Sequence, residues 1–140
     1  MDAALEAAFR STHYHVLAPA GEFVLLVDVH SEPLRQLLHS AGQPHAAVLT
    51  AFNPGALRRA AAANCAAQEA LRQELVALGC TVVAARNVDP RGEWPVETSV
   101  LVPGLPEAQA RRLAAHHGQL AYLWCTDAGT ARLIETATGQ

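Results

Sequence analysis

Run 46–52, Ala-Ala-Val-Leu-Thr-Ala-Phe, is apolar at every position except Thr50. Extended, such a segment presents hydrophobic side chains to both sides, so it belongs in a sheet covered on both faces. Run 119–125 is nearly as continuous. Two strands of this kind need helices to cover them, which points away from an all-helical bundle and from a β-sandwich.

The covering helices are visible through their punctuation. Ser31 is placed as an N-cap, with Pro33 in the first turn, Leu34, Leu37, Leu38 and Ala41 as the apolar stripe, and Gly42 at the end. Pro106 and Glu107 open a later helix that has Leu113 and Ala114 inside, His116 and His117 in its last turn and Gly118 behind it. Between them Asn53-Pro54-Gly55 stops a strand, and an alanine-rich helix follows to Leu78. Its stripe is Leu57, Ala61, Asn64, Gln68, Leu71, Leu75 and Leu78, so two amides sit on a buried face. A short helix over 2–10 and a hairpin of 13–18 with 22–29 around Pro19-Ala20-Gly21 precede these elements. Strands over 80–86, 97–102 and 132–136 complete the set.

The expected fold class is α/β: one domain, 1–140, with a single mixed parallel and antiparallel sheet flanked by helices in the order αββαβαββαββ. Each strand-helix-strand step predicts a parallel pair, and each short connection an antiparallel one. Strands 45–52 and 80–86 then run one way, 97–102 and 119–125 the other. That carries Asn53, the loop 87–96, Glu97 and Gln119 to one rim of the sheet, the edge where open α/β sheets bind ligands.

Composition bounds the partners. A length of 140 residues suits one core, and because 29 of them are alanine that core is modest. The formal charge is −3, with a pI near 6.1, which gives no electrostatic footprint for nucleic acid or an anionic membrane. All ten cationic residues are arginine. Without lysine there is no Walker A, Schiff-base or Ser-x-x-Lys chemistry, and no cofactor is expected. Three unpaired cysteines, no signal-like N-terminus and no apolar run of membrane-spanning length lead to the expectation of a cytoplasmic protein. Seven histidines raise the question of a metal, but there is no His-Glu-x-x-His, and His116 and His117 diverge if both are helical. No metal site is expected.

The candidate residues gather at the rim. Glu97 and Ser99 share a strand face with Leu101, and a carboxylate beside buried surface has its pKa pushed up unless arginine or amide donors hold it ionised. Arg86 and Arg91 are the available arginines. Glu97 is therefore either a general base, or acceptor for a ligand amine, oriented by Asn53 and Asn64, or a strand-end glutamate paired to arginine. Asn53 is either a turn former before Pro54 or a ligand contact. Asn64 either caps the loop at 53–55 or faces a pocket, because an unpartnered buried amide costs about 1–3 kcal/mol. Trp94 is either a plug over the rim or a stacking platform. The pairs Arg58-Arg59 and Arg111-Arg112 read as solvated helix-surface residues.

Thr50-Ala-Phe-Asn-Pro-Gly55, Asn64, Trp94-Pro-Val-Glu-Thr-Ser99 and Gly118-Gln119-Leu-Ala121, in that order, resemble a family of small bacterial proteins known only as a domain of unknown function. The likeness extends from about residue 10 to residue 125. It implies no biochemical role. In the relatives the segment after Asn-Pro-Gly looks loop-like as far as the downstream Asn, whereas here the alanines of 56–63 allow a helix earlier. If the helix starts late, Asn64 lies at the rim beside Asn53.

Three readings follow. The first is a domain binding an unknown small polar molecule, with Asn53, Asn64, Trp94, Ser99, Gln119, Arg86 and Arg91 around the pocket and Glu97 as its acidic group. The second is a hydrolase- or transferase-type enzyme with Glu97 as general base. The third is an interaction module whose rim presents a flat apolar patch to a protein partner.

Overall fold

The computed structural model describes residues 1–137. The chain runs α1 (Ala3–Ser11), β1 (His13–Ala18), β2 (Gly21–Leu25), α2 (Glu32–Ala41), β3 (His45–Leu49), α3 (Ala61–Ala77), β4 (Val83–Val88), β5 (Glu97–Pro103), α4 (Glu107–His116), β6 (Ala121–Thr126) and β7 (Ala131–Glu135). The seven strands form one sheet in the order β2-β1-β4-β5-β3-β6-β7.

Every strand pairing in this sheet is antiparallel, which overturns the expected mixed sheet with parallel neighbours. The reason is interleaving. β3 and β4 do run the same way, since both are antiparallel to β5, but β5 lies between them. β5 and β6 likewise run the same way with β3 between them. The crossovers through α3 and α4 each skip one position, and the skipped slot takes a strand of opposite direction; the crossover through α2, from β2 to β3, skips three. Directions follow from connection type; adjacency does not.

Because the directions hold, the rim holds. The end of β3, the end of β4 and the starts of β5 and β6 lie at the same edge.

Alternation divides the core. Tyr14, Val16, Val48, Leu101, Leu123 and Cys125 pack on one face with Leu34 and Leu38 of α2. Ala47, Leu49, Val100, Val102 and Tyr122 pack on the other with Leu71 and Leu75 of α3 and Leu113 of α4. The two-sided burial expected of 46–52 is therefore present in β3. The α2 signals also hold: Ser31 Oγ accepts from Leu34 N at 3.2 Å, and Gly42 closes the helix at φ 66°.

The sheet curls until its ends meet. After β2 the chain crosses to β7, with bridges Val27↔Ala131 and His30↔Thr130. Asp28 N donates to Ala131 O and Ser31 N to Gly129 O, each at 2.7 Å. One end of the concave face is plugged by α2, and α1 lies along the mouth of the other end, where the cavity described below opens.

Gly129 sits in this closure at φ +96°, and a Cβ there would stand 2.6 Å from Ser31 O. Gly92 has φ +70° and open space around it. Replacing Gly92 by alanine is expected to cost about 1–2 kcal/mol of backbone strain, and Gly129→Ala distinctly more, measured as the difference in urea-unfolding free energy.

Candidate functional site

β3 stops pairing at Leu49, yet the chain continues buried through Thr50, Ala51 and Asn53. Backbone groups that leave a ladder inside a protein need new partners, and here side chains supply them. Gln68 Oε1 accepts from Ala51 N at 2.8 Å, and Arg59 Nη2 donates to Ala51 O at 2.9 Å. Thr50 Oγ1 accepts from Phe52 N at 3.1 Å and donates to Thr98 O at 2.7 Å. Gln119 Nε2 donates to Phe52 O at 2.9 Å, and Asn64 Oδ1 accepts from Asn53 N at 2.8 Å.

Asn53 adopts φ 48° and ψ 63°, the left-handed region that asparagine tolerates best after glycine. Its side chain links two charges. Arg59 Nε donates to Asn64 Oδ1 at 2.7 Å, Asn64 Nδ2 to Asn53 Oδ1 at 2.9 Å, and Asn53 Nδ2 to Glu97 Oε2 at 2.8 Å. The two amides thus carry a hydrogen-bonded chain from a guanidinium to a carboxylate. Arg59 N also donates to Asn53 Oδ1, at 3.1 Å.

This geometry settles where α3 begins. Pro54–Ala56 form a single 3-10 turn, with Gly55 and Ala56 at positive φ, and the helix starts only at Ala61. Asn64 lies in its first turn, beside Asn53, and Asn64, Gln68, Leu71 and Leu75 are its buried stripe. Leu57, expected on that stripe, is outside the helix and exposed. Arg58 and Arg59, expected on a helix surface, belong to the loop and take specific partners.

Among the described residues no arginine pairs with Glu97. Its Oε2 accepts from Asn53 Nδ2 and, at 2.9 Å, from Trp94 Nε1. Arg86 lies on the opposite side of the sheet, exposed and 3.4 Å from Glu22. Arg91 stands exposed at the rim, 3.9 Å from Asp89 and 3.8 Å from Glu93. Trp94 is fixed on its edge by Glu97 and on its face by Arg58, whose guanidinium carbon is 5.0 Å from the ring centroid. The loop behind it is ordered by Asp89, which accepts from the backbone N–H groups of Arg91, Glu93 and Trp94 at 3.0 Å each. Ser99 is buried one step deeper and donates to Asn87 Oδ1 at 2.8 Å.

These groups border a cavity of about 300 Å³ lined by Asn53, Trp94, Glu97, Asn87 and Gln119 on its polar side. Leu5 and Phe9 of α1, Leu120 and Leu133 form apolar wall. Arg91 lines it as well; Arg86, Asn64 and Ser99 do not. Tyr14 lines the wall too, its hydroxyl donating to Phe9 O at 2.9 Å.

Burial pushes the Glu97 carboxyl above its ordinary value near 4.5, and the hydrogen bonds from Trp94 and Asn53 pull it back only in part. Among the described residues, Glu97 Oε1, Asn87 Nδ2 and Gln119 Oε1 have no hydrogen-bond partner in the protein, while their companion atoms do. A polar cluster that uses half of each group internally leaves the other half for something else.

Fold and site together define a protein of helices on a curled, all-antiparallel sheet, an α+β arrangement instead of the expected α/β one, with a cavity at one rim. The chain belongs to the family described as protein of unknown function (DUF3293), which matches residues 49–122 and so spans Thr50 through Gln119. No curated protein and no solved structure matches it. No helix among the described residues is long and apolar enough to cross a membrane.

Two stability outcomes follow. Asn64→Ala leaves Asn53 N and Arg59 Nε without their acceptor and is expected to cost about 2–4 kcal/mol in chemical unfolding. Asn64→Asp, which keeps that acceptor, costs less. For Glu97 the sign runs the other way. Its raised pKa means that the native state binds the proton more tightly than the unfolded chain, so its contribution is fully present below the ordinary carboxylate range. That contribution is lost as pH rises from there through the raised value. Glu97→Gln removes this dependence, so the melting temperature of the variant minus that of the parent is expected to increase from pH 4 to pH 8.

Proposed function

We propose that the rim cavity binds a small molecule carrying an amine or amide on an apolar body. The observation that carries this reading is the carboxylate of Glu97, held through one oxygen with the other unpartnered at the wall of a cavity of about 300 Å³. An N–H donor satisfies Glu97 Oε1 and Gln119 Oε1, and a ligand acceptor satisfies Asn87 Nδ2. Phe9, Leu5, Leu120 and Leu133 receive the apolar part. A concave rim favours a small ligand over the flat apolar patch expected of a protein-docking surface.

A second reading has its own support. A carboxylate whose pKa is raised by burial is suited to take a proton from a bound substrate, so Glu97 could serve as a general base. The two readings share one site and differ in what Glu97→Gln does: in the enzyme it preserves binding and abolishes turnover.

The test is a thermal-shift panel of primary amines, primary amides and amidines with aromatic or branched aliphatic bodies. At least one compound is expected to raise the melting temperature by mass action. Glu97→Gln is expected to weaken a cationic ligand by about 1.5–3 kcal/mol, the worth of a charge-assisted hydrogen bond. A panel without a single dose-dependent shift would sink the proposal.

A further inference from the structure

A second group of chemically active side chains lies away from the cavity, where the end of α4 meets α3. His116 closes α4, and His117 follows as its C-cap at φ −89° and ψ 15°. Two consecutive helical residues point 100° apart, which is why the sequence suggested that these rings diverge. The rings nevertheless come together: their centroids are 5.1 Å apart, edge to face. Glu74 reaches across from α3, with His117 Nε2 and Glu74 Oε1 2.6 Å apart. One ligand atom from each of Glu74, His116 and His117 falls within 4.8 Å of the other two.

We propose that Glu74, His116 and His117 form a binding site for a divalent transition ion of the Zn²⁺ type. Two imidazoles and a carboxylate form a donor set that suits Zn²⁺, Co²⁺ and Ni²⁺ and is poorly matched to Mg²⁺ or Ca²⁺. Tetrahedral zinc, with bonds of about 2.0–2.2 Å, holds its ligand atoms about 3.3–3.6 Å apart. The present spread brackets that spacing. The ion takes the place of the hydrogen bridging His117 and Glu74, that proton passing to His117 Nδ1 or to solvent so that Nε2 is free to ligate; the two groups separate slightly, and the exposed His116 side chain swings inward to meet the ion. Three protein ligands leave the fourth position to water. The site is anchored on one side by His117, whose side chain is 10% exposed, and open on the other, since Glu74 is 38% exposed and His116 is at the surface.

Its position gives the ion a structural consequence. Directly after His117, Gly118 O accepts from Gly55 N at 2.8 Å, and Gln119 Nε2 reaches Phe52 O. An ion joining α3 to the end of α4 therefore braces the segment that forms the β6 side of the rim.

The test uses the full chain without a polyhistidine tag, titrated with zinc chloride against a competing chromophoric chelator and followed in parallel by thermal melting. The parent is expected to bind one ion per chain and to melt higher with zinc present. His116→Asn, a change at an exposed position, is expected to leave the metal-free melting temperature unaltered and to weaken zinc binding on the order of 10- to 100-fold. Cobalt(II) is expected to show tetrahedral absorption bands in the parent that fade in this variant. A purely structural contact between His117 and Glu74 would leave His116 without effect. Unchanged affinity in His116→Asn, retention of the ion by His116→Asn/His117→Asn, or no binding below millimolar zinc would overturn the proposal.

Discussion

The hydrogen-bonded chain from Arg59 through Asn64 and Asn53 to Glu97 ties together three parts of the fold: the end of β3, the first turn of α3 and the start of β5. An ion pair placed directly in such a half-buried setting carries a large desolvation cost. Spreading it over two amides lets each charge keep hydrogen-bond donors or acceptors while the amides satisfy one another and the Asn53 backbone. The orientation of both amides follows from the charges at the ends, because a guanidinium can only donate and a carboxylate accepts. The loop at 53–60 is thereby set by electrostatics as much as by its proline and glycines. The late start of α3 is one consequence, and the placement of Trp94 over the rim is another, since the indole shares the same carboxylate oxygen.

The cavity results from two independent features. The curl of the sheet, closed by the contact of 27–30 with β7, makes the concave face deep enough to enclose space. The alternation of β3, β4 and β5 then sends Thr50, Asn87 and Glu97 to the concave side at the rim, where α2 no longer fills it. An all-apolar lining at this end would pack more tightly and more stably. Instead the chain carries a carboxylate with its pKa raised by burial, an arrangement that works against stability at neutral pH and is common where a group is held for a task.

How much of this was legible depends on which physical rule governs each part. Connection types set strand direction, so the convergence of Asn53, Glu97 and Gln119 at one rim could be read from the chain. Strand adjacency depends on how far each helix carries the chain sideways, and no residue encodes that locally, so the antiparallel interleaving could not. The facing of Arg86 was readable: with Val83 and Ala85 directed inward, Arg86 must face outward on a period of two. Arg59 was concealed by the alanines behind it, which suit a helix beginning at Gly55. The available signal was Asn64, a polar residue on an apolar stripe that demanded a partner. The closeness of the His116 and His117 rings depends on side-chain torsions, which the spacing of two neighbours on a helix does not encode.

The register between β3 and α3 explains why two amides occupy one helix face. Past Leu49 the strand no longer pairs through its ladder, and the amide N–H groups of Ala51 and Asn53, two residues apart, point to the side covered by α3. Two residues of strand advance about 6.6 Å. Four residues of α-helix advance about 6 Å and return to nearly the same face. A helix packed against the end of such a strand can therefore present acceptors at positions i and i+4 that meet alternate strand amides. Gln68 Oε1 on Ala51 N and Asn64 Oδ1 on Asn53 N are these contacts, in reverse order because α3 runs back along the strand. The helix acts as a surrogate neighbouring strand for two residues. It lets β3 leave the sheet while still buried, and this departure opens the rim at the place where Glu97 begins the next strand.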